Sequence, residues 1–149
     1  MDFPHVVARV NMESNHPLIQ SIIDCAYTVA KELGHGFSDE VYAKALALEL
    51  RKANLKVAQD TSFDIVYDGI CVGNSKADLI VEERVIVDVT IEDGINAARI
   101  AQCRNDFKAA RMVSGLIISF GYSRIEVKRV CEIAEEGAEH WVTDVIEVV

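Results

Sequence analysis

Residues 76–90 read KADLIVEERVIVDVT. Two runs rich in Leu, Ile and Val, Ala77–Val81 and Val85–Val89, flank the charged triplet Glu82-Glu83-Arg84. Short β-branched runs around a polar break predict two strands. Each run carries one carboxylate, Asp78 or Asp88, in otherwise apolar company. A charge inside a buried strand is costly unless it is paired or coordinates something. The length of the connection decides whether the two can meet. A three-residue loop pairs Val81 with Val85 and sets Asp78 opposite Asp88 on one face, with Cβ atoms roughly 5 Å apart. A two-residue loop sends them to opposite faces, because a slip of one residue reverses every side chain. We take the three-residue loop. Two close carboxylates without a cation repel, so Mg²⁺ or Mn²⁺ is the natural occupant of the gap. The competing reading leaves both Asp near strand ends, solvated or paired with Lys76 or Arg84.

Outward from this pair the periodicity changes. Phe63, Ile65 and Tyr67 alternate with Ser62, Asp64 and Val66, which predicts a strand. Asp68-Gly69 then turns the chain into Ile70–Val72. Upstream, Leu18, Ile22, Cys25, Ala26, Val29 and Leu33 recur at helical spacing, with Pro17 suited to the first helical position and Gly34 to the stop. A second helix is expected over about 38–53, starting at Ser38-Asp39-Glu40 with Val41, Ala45, Leu48 and Ala53 on one stripe. Downstream, about 94–112 reads as a long helix with Ile100, Cys103, Phe107 and Ala110 inward. Leu116–Phe120 is the continuous apolar run of a central strand covered on both faces. Arg124–Cys131 reads as a further strand, Trp141–Val149 as an edge strand, and Val6–Val10 as a short strand. Strand, long helix and buried strand imply a right-handed crossover and a parallel pair. The expectation is one α/β domain over 1–149, with a mixed sheet flanked by helices.

Composition narrows the function. The chain has 149 residues, half of them apolar, and only two Pro, which excludes disorder and low complexity. Its best apolar run, Val113–Tyr122, contains two Ser and two Gly and falls short of the roughly 18 residues of a membrane span. Asp2 stands where a secretory signal carries Lys or Arg, so a cytoplasmic protein is expected. Fifteen Lys and Arg against 24 Asp and Glu give a net charge of −9, which disfavours a broad grip on nucleic-acid phosphates. Cys25, Cys71, Cys103 and Cys131 form no CxxC and have no nearby His pair, which argues against zinc and for buried, reduced thiols.

Taken together, ELGHGFSDEVYAKALALEL (32–50), KADLIVEERVIVDVT (76–90), AQCRNDFK (101–108) and GLIISFG (115–121) resemble the GxxExxY protein family. That family is a branch of the PD-(D/E)XK nuclease superfamily, and the resemblance runs from about Leu18 to Val130. It implies a restriction-endonuclease-like core. The namesake motif falls on Gly36–Tyr42, with Asp39 at the Glu position. The resemblance implies metal ligands at Asp78, Asp88 and Asp39, with the Val89 carbonyl assisting. The family's E-x-K falls on Asp88-Val89-Thr90, and its helix Gln on Gln102. Gln102 is then placed to touch metal-bound water or a phosphate, or it lies on a solvated face. Tyr42 is expected to buttress the site.

Thr90 is the departure. Active relatives use the Lys to position or deprotonate water and to offset transition-state charge. Thr supplies neither, and loss of one such partner costs about 10²–10³-fold in comparable sites. Lys76, two residues before Asp78, and Lys108 on the following helix are the candidate substitutes. Two functions follow. One is Mg²⁺- or Mn²⁺-dependent hydrolysis of nucleic-acid phosphodiesters, weakened by Thr90. The other is a catalytically silent relative that binds a protein partner or dimerises, for example through the apolar tail VTDVIEVV (142–149).

Overall fold

The computed structural model describes the backbone of residues 3–112, 114–121, 125–135 and 138–147, and the side chains of 17–112, 114–121 and 125–131. Along the chain run α1 (Phe3–Leu33), α2 (Asp39–Lys52), β1 (Val57–Tyr67), β2 (Ile70–Val81), β3 (Val85–Thr90), α3 (Ala97–Ala109), β4 (Ser114–Ser119), β5 (Glu126–Glu135) and β6 (Ala138–Glu147). The strands form one sheet in sequence order, β1-β2-β3-β4-β5-β6. Every pairing is antiparallel except β3 with β4, which α3 joins as a parallel pair. The mixed sheet and the parallel crossover pair are therefore as the sequence predicts.

Helices cover both faces of the central strands. On one face α1 and α2 press Ile22, Ala26, Leu46 and Leu50 onto Leu79, Val81, Val87, Leu116 and Ile118. On the other, Cys103 and Phe107 of α3 cover Ala77, Ile86, Ile117 and Val130. All of β4 is buried, which explains its unbroken apolar sequence. Gly115 lets this layer close, since a Cβ there would meet Phe107 Cζ at 2.6 Å.

Several expectations change. Val6–Val10 is not a strand but part of α1, and Pro17 lies inside that helix rather than at its start. Proline lacks the N–H for the carbonyl one turn back, but the apolar spacing that follows continues the same helix. The buried stripe of α2 is Tyr42, Leu46, Ala47 and Leu50, whereas Val41 and Leu48 are exposed. The rotation buries the large Tyr42 ring, which stacks on Phe120 with centroids 4.6 Å apart. Its hydroxyl donates to the Gly34 carbonyl at 2.7 Å, tying the α1–α2 turn to the sheet. β2 is one strand from Ile70 through Val81, so the β1–β2 hairpin reaches past the helices. Val66, Tyr67, Ile70 and Val72 at its end are exposed. Cys71 is exposed and Cys25 half-buried, so only Cys103 and Cys131 fit the expected buried thiols. The tail from Trp141 continues β6 as far as Glu147, and residues 148 and 149 lie outside the described residues.

Candidate active site

β2 and β3 pair as Val81↔Val85, Ile80↔Ile86 and Leu79↔Val87, the register of a three-residue loop. Glu82 and Glu83 make this connection in the left-handed region, at φ 53° and 56°. Beyond Leu79↔Val87 the next partner is not backbone. The Val89 N–H donates to Oδ2 of Asp78 at 2.8 Å. This substitution goes with a break in the pleat. Ala77 packs on the α3 side, while Leu79 and Val81 pack under α1 and α2. Opposite the break, Asp60 of β1 has a positive φ of 52°, and the β1–β2 register passes from Gln59↔Leu79 to Thr61↔Ala77. Asp78 therefore sits where β2 changes face, and it reaches the backbone of β3 and the carboxylate of Asp88.

Burial, and after it the Asp88 charge alongside, pushes the Asp78 carboxyl up to about 6, although the Val89 N–H pulls the other way. Beside Asp78 opens a cavity of about 300 Å³, with Asp39, Glu40 and Lys44 of α2 on one wall and Asp60 and Lys76 on the other. The Ser38–Glu40 segment places these α2 side chains: acidic residues fill the first turn, where the helix dipole favours them.

Asp88 turns toward α3. Its Oδ2 accepts from Arg99 Nη2 at 2.8 Å, Arg99 Nε at 3.0 Å and the Cys103 thiol at 2.9 Å. Arg99 and Cys103 are four residues apart, hence on one helix face. Asn96 fixes the start of that helix by accepting from the Arg99 N–H at 2.9 Å. The loop before it is pinned too. Ser119 donates its hydroxyl to the Glu92 carbonyl, and Lys128 Nζ to the Ile95 carbonyl at 2.8 Å. Burial first, then Asp88, holds the Cys103 thiol far above its usual range, so it is a donor rather than a nucleophile.

The sequence-derived candidates are sorted by this geometry. Asp78 and Asp88 are brought together; Lys76 and Asp39 line the same cavity as Asp78, whereas Asp88 faces Arg99 and Cys103 of α3 and is not among the residues lining it. Lys76 is tied to Asp60, Nζ to Oδ1 at 3.2 Å, which raises its pKa. It is a standing cation, unsuited to act as a base near neutral pH. Thr90 is buried, and its hydroxyl accepts from the Glu92 N–H at 3.2 Å; it shapes the loop rather than the cavity. Gln102 is exposed on α3, rotated about 100° from Cys103, which faces Asp88; no residue of α3 lines the cavity. Asp39 forms no ligand cluster: among the described residues no three His, Cys, Asp or Glu side chains converge closely enough to hold a metal ion.

Two carboxylates nevertheless fit a hard divalent cation. The described donors to Asp78 and to Asp88 all fall on Oδ2. One oxygen of each is thus tethered while Oδ1 receives none of these bonds. Mg²⁺ is commonly held by one or two carboxylates and keeps several waters. Arg99 is the residue that sequence reasoning missed. Its signal was present: a buried Asp88 requires a partner, and Arg99 lies one turn before Cys103, already read as inward-facing.

A family model described as the PD-(D/E)XK nuclease superfamily matches residues 16–130. No curated protein and no solved structure matches the chain. No described helix is long and apolar enough to cross a membrane. With a restriction-endonuclease-like α/β core and a match over most of its length, the chain belongs to the PD-(D/E)XK nuclease superfamily.

Proposed function

We propose that this domain, as a member of the GxxExxY branch, hydrolyses nucleic-acid phosphodiesters with Mg²⁺ or Mn²⁺ at reduced turnover. The observation that carries the reading is the meeting of Asp78 and Asp88, each tethered through Oδ2 while Oδ1 receives none of those bonds. Those two oxygens and the Val89 carbonyl would hold the ion, with Asp39 at the cavity wall acting through water. A bound divalent ion supplies charge neutralisation for the phosphodiester and lowers the pKa of water at the site. The chain's own residues do the rest. The Val89 N–H tethers Asp78, and the Arg99–Cys103 pair orients Asp88 before the ion binds; Lys76 and Lys44, paired with Asp60 and Glu40, line the cavity that a phosphate would enter. Among the described residues that line the cavity, none takes the place of the motif lysine as a base, and Lys108 is not one of them, which fits a reduced turnover. The −9 charge restricts contact to a short stretch of substrate around this cavity.

The test is cleavage of plasmid, single-stranded DNA and RNA with Mn²⁺ and Mg²⁺, wild type beside Asp88→Ala. Cleavage confined to the wild type supports the reading. Absent cleavage, or equal cleavage by both proteins, refutes it and leaves the second reading, a silent relative that binds a protein partner. That alternative draws on the exposed Tyr67, Ile70 and Val72 of the β1–β2 hairpin.

A further inference from the structure

Arg99 makes two contacts of unequal strength. Nη2 lies 2.8 Å from Asp88 Oδ2, and Nη1 lies 3.7 Å from Glu92 Oε1. The Asp88 and Arg99 side chains are 19% and 22% exposed, whereas Glu92 is 50% exposed. A guanidinium is planar and permanently charged, so it can pivot between carboxylates without changing protonation. A divalent ion between Asp78 and Asp88 would stand within a few ångströms of this positive group, in surroundings that screen charge poorly.

We propose that Arg99 is a resident counter-cation for the site, competing with the divalent ion for Asp88 and retreating to Glu92 when the ion binds. The inference rests on the metal-dependent reading above. Arg99 offsets the charge of the metal-free site and holds Asp88 oriented. The cost falls on affinity: the ion must take Asp88 beside a positive group already held on Oδ2, and their repulsion loosens that hold. Glu92 lowers that cost because the second partner is already in place. Its backbone is held by Thr90 and Ser119, so its side chain stays beside Arg99. Thr90 thereby gains a role that a motif lysine would not serve. A second cation at 90 would crowd Arg99, whereas a hydroxyl shapes the turn that presents Glu92.

The experiment is calorimetric titration of Mn²⁺ into the full chain and its Arg99→Gln, Arg99→Lys and Glu92→Gln variants. Arg99→Gln should bind at least about tenfold more tightly than wild type, because a repelling charge is removed. Arg99→Lys should stay within about threefold, since it keeps the charge while losing the fork. Glu92→Gln should weaken binding by about threefold or more, and should have no effect once Arg99 is Gln. If Arg99→Gln binds as wild type does or more weakly, the competition is overturned while the metal-dependent reading stands. If neither wild type nor any variant binds Mn²⁺, both are overturned. Should Arg99→Gln fail to fold, the wild-type protein decides. On saturation with Mg²⁺ the Arg99 Nε–Hε resonance must shift and lose its protection from exchange, and an unmoved signal overturns the proposal.

Discussion

Replacing Asp78 by Asn should make the metal-free protein more stable while destroying its site. In the folded chain the carboxyl titrates at about 6, against an ordinary 3.8. The native state therefore holds an extra proton between those values. Its stabilising effect is complete below about 3.8 and is lost as pH rises through about 6. At pH 7.5 the full penalty of an ionised Asp78 is present. The gap between 3.8 and about 6 sets a ceiling of about 3 kcal/mol, and partial exposure to solvent reduces it to about 1–2 kcal/mol. Asparagine keeps an oxygen to accept from the Val89 N–H and turns an N–H toward Asp88. For a chain of this size the gain corresponds to a rise in melting temperature of about 3–6 °C. Thermal unfolding of both proteins in the presence of a chelator, from pH 4 to 8, is the assay. The variant should gain on wild type as pH passes through about 6. An advantage equal at pH 4 and pH 7.5, or a loss at pH 7.5, refutes the account of a desolvated carboxylate pair.

Gly115→Ala drives a methyl into the Phe107 ring and should cost about 1–3 kcal/mol; an unchanged denaturant midpoint would show that the α3 layer is looser than described. Tyr42→Phe removes the bond to the Gly34 carbonyl and should cost about 1 kcal/mol, read in the same denaturant titration. Lys76→Met breaks an exposed ion pair with Asp60 and should leave the denaturant midpoint essentially unchanged. Its cleavage rate should nevertheless fall by about tenfold or more if Lys76 supplies phosphate-facing charge. A rate within twofold of wild type would leave Lys76 a surface ion pair.

The parts of the fold that depend on local periodicity were legible in the sequence. The Glu82–Arg84 loop fixes register because both flanking runs must bury Val and Leu on one face, and the unbroken Leu116–Phe120 run could only be central. What escaped depends on layers meeting. The stripe of α2 turned to bury Tyr42 against Phe120, a ring from a segment 78 residues later in the chain. Cys71 is exposed because the hairpin outruns the helices, a matter of relative lengths that no local pattern encodes. At the site, the pair Asp78 and Asp88 followed from register alone. The change of face at Asp78 and the grip of Arg99 did not, since each arises from packing between β1, β2, β3 and α3. Of the two positions the sequence left open for Gln102, the helix gives the solvated face, one residue away from Cys103, which faces Asp88.

The most direct test of the central claim is the stoichiometry and location of divalent-ion binding. Calorimetry with Mn²⁺ on the wild-type chain at pH 7.5, beside Asp78→Asn and Asp88→Asn, measures both. The account predicts one ion per chain for the wild type and at least a hundredfold loss of affinity in either variant, roughly what a lost charged ligand costs. Binding that survives both substitutions, or a wild type that takes up no ion, would contradict it.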